Sequence, residues 1–114
     1  MPTLRTFKAD LFRTLANPLR IHILEELRTA GELTVGELHT RISAEASNVS
    51  QHLAILRAGG VVSARRDGNN VWYSVADPAI FELLTAARQF LERQLAVREK
   101  ALGEEARPIL DLKS

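Results

Sequence analysis

The sequence predicts a mainly α fold with one small β-hairpin, ordered as four helices, two strands and a long final helix. Three observations carry that reading. Apolar residues recur at three- and four-residue spacing through residues 4–15, 19–27, 35–42, 49–56 and 80–95, the mark of helices that bury one face. Helix start and stop signals fall between those stretches: Asn17-Pro18, Thr34 with Glu37, Gly59-Gly60 and Asp77-Pro78. The period changes over residues 61–75, where two β-rich runs flank Asp67-Gly68-Asn69-Asn70, as in a hairpin.

Taken in order, the first helix carries Leu4, Phe7, Leu11 and Leu15 on one side, with Lys8, Asp10 and Arg13 between them. Asn17 is placed to cap the next helix, and Pro18 fills its first position, where a missing N–H costs nothing. This second helix turns Leu19, Ile23, Leu24 and Leu27 inward and stops at Ala30-Gly31, where Gly31 can take the left-handed cap. Thr34 and Glu37 form a capping box. It opens a short third helix through about Ile42, with Val35, Leu38 and Ile42 inward. Ser43-Ala44-Glu45-Ala46 then connects to a helix that starts at Ser47 and ends at Gly59-Gly60. Asp77-Pro78 repeats the cap-plus-proline start. The last helix runs from Pro78 to about Leu102, roughly 37 Å at ~1.5 Å per residue. Ile80, Leu84, Ala87, Leu91 and Leu95 form one stripe, widened by Leu83 and Phe90. Such a helix overhangs so small a domain, so its stripe needs a partner: the first helix, a second copy of the chain, or both. The expected boundaries are one folded domain over 1–103 and a polar, fraying tail over 104–114.

The fourth helix has the most informative surface. Val49, Leu53 and Leu56 fall within a narrow arc, while Ser47, Gln51, Ala54 and Ala58 face the other way, flanked by Asn48 and Ser50. The outward face is short, uncharged and rich in amides and hydroxyls. It suits the edges of base pairs in a major groove, where Asn and Gln bond adenine in a bidentate way. Two helices, a short turn and a polar face on the second make a helix-turn-helix. The hairpin that follows carries Arg65 and Arg66 beside its tip, placed as a wing along a sugar-phosphate backbone. Trp72 and Tyr73 point to opposite faces of that hairpin, one toward the core and one half-exposed.

Composition narrows the alternatives. The 114 residues suit one domain with a modest core. A net charge of +1 neither requires nor excludes a nucleic-acid partner, since charge distribution decides that. There is no cysteine, which removes disulfides, thiolate metal sites and thiol redox sensing. No apolar run approaches the roughly 20 residues that span a bilayer, and residues 1–10 lack a signal-peptide core. The expected location is the cytoplasm, without membrane contact.

The order and the residues resemble the ArsR–SmtB-type winged helix-turn-helix repressors. Leu15-Ala16-Asn17-Pro18-Leu19-Arg20-Ile21-His22-Ile23-Leu24 is similar to that family's "L-x-(D/N/H)-P-x-R-x-x-I-L". Val35-Gly36-Glu37-Leu38 resembles its "x-v-x-E-L". Ser47 through Arg57, ending at Gly60-Val61-Val62, resembles "S-x-v-S-x-H-L-x-x-L-r-x-x-G-l-v". Arg65-Arg66-Asp67-Gly68 with Tyr73 is similar to the wing. These matches span residues 15–75. The resemblance implies a homodimer that binds a pseudo-palindromic double-stranded DNA operator, represses transcription and releases DNA on an inducer. It also implies a dimer interface built from the first and last helices, here from Leu4, Phe7, Leu11, Leu84, Ala87, Leu91 and Leu95.

Two metal sites known in such relatives find no match. Where one uses cysteines after Glu-Leu, this chain has His39 and Arg41, and from Pro78 onward it has no histidine for the other. Only His22, His39 and His52 exist, on three different helices. We therefore expect no metal and no cofactor. His52 is expected as a partly buried, hydrogen-bonded scaffold residue and His39 as simply exposed. Any small-molecule inducer is expected to be apolar or mixed in character and to bind between the long terminal helices; the alternative is a protein-level signal. Catalysis is not expected: Ser50 and His52 are two apart on a helix and do not face each other, and no glycine-rich phosphate loop is present. The competing reading is a helical interaction module of the same fold without specific DNA binding. The expected base readers are Ser47, Asn48, Ser50 and Gln51. Arg65, Arg66, Asn69 and Asn70 serve the wing, and Arg20 and Arg57 are candidates for phosphate contacts.

Overall fold

The computed structural model describes residues 1–102, and the expected tail lies outside them. The order is α1 (Leu4–Leu15), α2 (Pro18–Ala30), α3 (Val35–Ile42), α4 (Ala46–Ala58), β1 (Val62–Asp67), β2 (Asn70–Val75) and α5 (Ala79–Leu102). By its contacts the chain divides after Ile80, with the rest of α5 forming a unit of its own.

In the first unit, side chains fix the helix starts. Thr3 and Thr6 cap α1 reciprocally. Asn17 Oδ1 accepts from the N–H groups of Leu19 and Arg20 at 2.9 and 3.2 Å, satisfying donors that the first turn leaves free. Thr34 and Glu37 close the box at α3. Helix α4 starts one residue earlier than the sequence suggests, and its N-cap, Glu45, makes no side-chain cap hydrogen bond. The turn between α3 and α4 passes through Ser43 in the left-handed region, at φ 60.

The core is the meeting point of α2, α3, α4 and the base of the hairpin. Ile23, Leu24, Leu27, Leu38, Val49, Leu53 and Leu56 are fully buried. Val61 just before β1 and Val62 at its start close it, with Leu15 from the end of α1. The rest of the α1 stripe is covered only in part: Leu11 is half-buried, while Leu4 and Phe7 are exposed, as is Phe12 on another side.

The two strands pair antiparallel from Val62↔Val75 to Asp67↔Asn70, leaving Gly68-Asn69 as a two-residue turn. Gly68 has φ 63, the left-handed conformation that glycine supplies at such a turn. A third, one-residue strand completes the sheet: Leu33 pairs with Tyr73 across the far edge of β2, through N–H···O bonds of 3.1 and 2.9 Å. Trp72 and Tyr73 are both half-buried, so the expected division into one core and one half-exposed ring does not hold. The sheet is covered on one side only at its base, which leaves neither ring enclosed.

In the second unit, Phe90, Leu91 and Val97 of α5 are exposed and Leu95 is half-buried. Together with Gln94, Arg98 and Ala101 they line an open groove of about 550 Å³. No helix among the described residues is long and apolar enough to cross a membrane.

Candidate nucleic-acid interface

Helix α4 is pinned through Val49, Leu53 and Leu56, so its orientation is set by burial and its other face is left to solvent. Ser47, Asn48, Ser50, Gln51, Ala54, Ile55, Arg57 and Ala58 are all exposed. Ser50, Ala54, Arg57 and Ala58 recur at helical spacing and, with Tyr73 of β2, line an open groove of about 460 Å³ between helix and hairpin. Ser50 and Arg57 therefore border the hairpin, while Ser47, Asn48 and Gln51 lie further round the exposed face. Ile55, exposed at 39% on that same face, is an apolar side chain that the sequence reading passed over.

The cations differ in availability. Arg57 and Arg66 are exposed, and neither forms an ion pair among the described residues. Asn69 and Asn70 are exposed at the hairpin tip. Arg20 is half-buried, and its buried Nε has no hydrogen-bond partner among the described residues, which makes it the least accessible of the expected phosphate contacts. Arg65 is already engaged: its Nε and Nη2 donate to the two carboxylate oxygens of Glu32, each at 2.8 Å. Its guanidinium carbon lies 5.8 Å from the centre of the Trp72 ring, and Asp67 is 3.9 Å from Nη1. The hydrogen bonds from Arg65 hold the Glu32 carboxyl below its ordinary range, and Glu32 in turn raises the Arg65 guanidinium. Sequence reasoning missed Glu32, because a one-residue strand has no period to reveal it.

The histidines are partly as expected. His39 is exposed, with Nδ1 on the Ala44 carbonyl oxygen across the α3–α4 turn. His52 is half-buried, but its buried Nδ1 has no hydrogen-bond partner among the described residues. The expected hydrogen bond is thus missing at that nitrogen. Among the described residues no three His, Cys, Asp or Glu side chains are grouped to hold a metal ion.

Comparison with known proteins agrees with this fold. Residues 15–63 match the model of a helix-turn-helix domain family. The HTH-type transcriptional regulator Rv0081 of Mycobacterium tuberculosis is 50% identical over 101 residues, covering 85% of each chain. Its crystal structure superposes with a TM-score of 0.75 at 49% identity, over 86% of this chain and 98% of that one. The homodimeric winged helix-turn-helix DNA-binding domain of Mb0332 from Mycobacterium bovis gives 0.72 at 29% identity, over 81% and 84%. The transcriptional repressor BigR of Xylella fastidiosa gives 0.65 at 32%, over 72% and 83%. The chain belongs to the ArsR-type winged helix-turn-helix family of DNA-binding transcriptional regulators.

Proposed function

We propose that the protein is a homodimeric repressor that reads a pseudo-palindromic operator through α4. The observation that carries this is the exposed, uncharged, hydrogen-bonding face of α4 beside a groove lined by Arg57, with Arg66 exposed on the neighbouring hairpin. Ser47, Asn48 and Gln51 enter the major groove and meet base edges. Ser50 and Arg57 hold the backbone strand that runs between helix and hairpin, and Arg66, Asn69 and Asn70 follow it outward. Backbone contacts of this kind set register and affinity, while base contacts set sequence. The absence of a side-chain cap at Glu45 leaves the first N–H groups of α4 open to a phosphate. The exposed stripes of α1 and α5 are each covered by a second copy, which places two α4 helices on one operator.

The test compares duplexes. The protein should bind a selected operator at least roughly 10³-fold more tightly than a scrambled duplex at physiological salt. Equal, weak binding to both would favour an interaction module that has lost sequence reading.

A further inference from the structure

We propose that Arg65 is a positioning residue that clasps the hairpin to the helix-turn-helix body, leaving Arg66 as the arginine of β1 that meets phosphate. The proposal rests on the DNA-binding reading above for its second half only.

Strand alternation separates the two arginines. Cross-strand partners share a face, so Val62, Ala64 and Arg66 lie with Val71, Tyr73 and Val75, and Ser63, Arg65 and Asp67 lie with Asn70, Trp72 and Ser74. Buried Val62 marks the first face as the inner one, and Tyr73 on that face lines the groove beside α4. Arg66 therefore continues the groove toward the hairpin tip. Arg65 sits on the other face.

The far edge of the sheet repeats the pattern. Leu33 pairs with Tyr73 and is buried, so its neighbour Glu32 falls on the Arg65 face. The Arg65 side chain crosses β2, passes over the Trp72 ring and closes on both Glu32 oxygens. One side chain thus ties β1, β2 and the α2–α3 connection together. An isolated exposed ion pair stabilises little. This one is bidentate, supported by a ring and joined by Asp67, and a planar fork is what Lys could not supply. Because Glu32 lies between α2 and α3, the clasp sets the pitch of the hairpin relative to α4. A phosphate that took Nε and Nη2 of Arg65 would have to displace Glu32.

Two measurements on the full chain decide it. The first is amide hydrogen exchange of the free protein at Leu33 and Tyr73, whose N–H groups make the bridge. E32Q, R65Q and R65K should each speed exchange there. E32Q/R65Q should do no more than either single change, and R66Q should do nothing. Unchanged exchange in E32Q and R65Q overturns the clasp. The second is the slope of log affinity against log salt on a mixed-sequence duplex. R66Q should flatten it by about one, as for a lost phosphate contact. The charge-neutral E32Q/R65Q should leave the slope unchanged. A slope flattened by about one in E32Q/R65Q makes Arg65 a phosphate contact and overturns the assignment. If R66Q leaves the slope unchanged, the phosphate role of Arg66 is overturned, while the exchange result still supports the clasp.

Discussion

Gln51 and Arg66 offer DNA two different kinds of contact. A primary amide can satisfy one base edge and leave another unpaired, so its removal should erase a preference. Gln51→Ala should relax specificity at one position of each half-site, by ~1–3 kcal/mol for each bidentate contact. A guanidinium on a phosphate sees the same charge at every sequence. Arg66→Ala should weaken specific and random duplexes alike and flatten the salt dependence. Binding isotherms on both duplexes at several salt concentrations check this, and parallel losses from both variants would contradict it. The α4 face was legible in the sequence because helical periodicity sorts Gln51 from Leu53 without any tertiary information. The partner of Arg65 was not. Glu32 lies far from Arg65 in sequence, and only the folded sheet puts them on one face. The buried nitrogens of Arg20 and His52 were equally hidden, since both depend on what neighbouring helices offer.

Where a side chain caps the first turn, the helix starts at or within one residue of the expected place. Asn17, Thr34 and Asp77 each accept backbone hydrogen bonds, with α5 starting at Ala79 rather than Pro78, whereas α4 starts early on the uncapped Glu45. The end of α4 carries more than a stop signal. Gly60 has φ 75, which explains glycine there. Gly59 has an ordinary φ of −82, yet a Cβ would sit 2.8 Å from Thr14 Cγ2 and 2.9 Å from its Oγ1. Thr14 cannot turn aside freely, as its hydroxyl donates to the Asp10 carbonyl oxygen at 3.0 Å. Gly59→Ala should therefore push α1 from the end of α4 and destabilise the protein by about 1–3 kcal/mol. Thr14→Ala removes both colliding atoms, so the double variant should recover most of that loss in chemical denaturation. Full additivity of the two changes would show that the close approach is not what requires glycine. A Gly-Gly pair alone cannot distinguish a conformational glycine from a close-approach glycine.

For the whole molecule, assembly turns on the exposed apolar residues of α1 and α5. Leu4 and Phe7 on α1, and separately Phe90, Leu91 and Val97 on α5, are exposed apolar groups, and the proposed cover of each is a second copy. A charge at Leu91 would be buried there without a partner. Leu91 is 47% exposed in the single chain, so Leu91→Glu should keep its helix content, sediment as a monomer and lose tight operator binding. A wild type that is monomeric at micromolar concentration and still binds a full operator tightly would refute this. The stripes were readable from sequence; the division of the chain after Ile80 was not, because periodicity continues across it. The central claim is that two α4 helices read one operator together, and selection from random duplex DNA tests it most directly. The account predicts enrichment of an inverted repeat whose half-sites lie about one helical turn apart, roughly 34–36 Å, with Gln51→Ala losing preference at symmetry-related positions. Enrichment of no sequence, or of a single site without a symmetric partner, would contradict it.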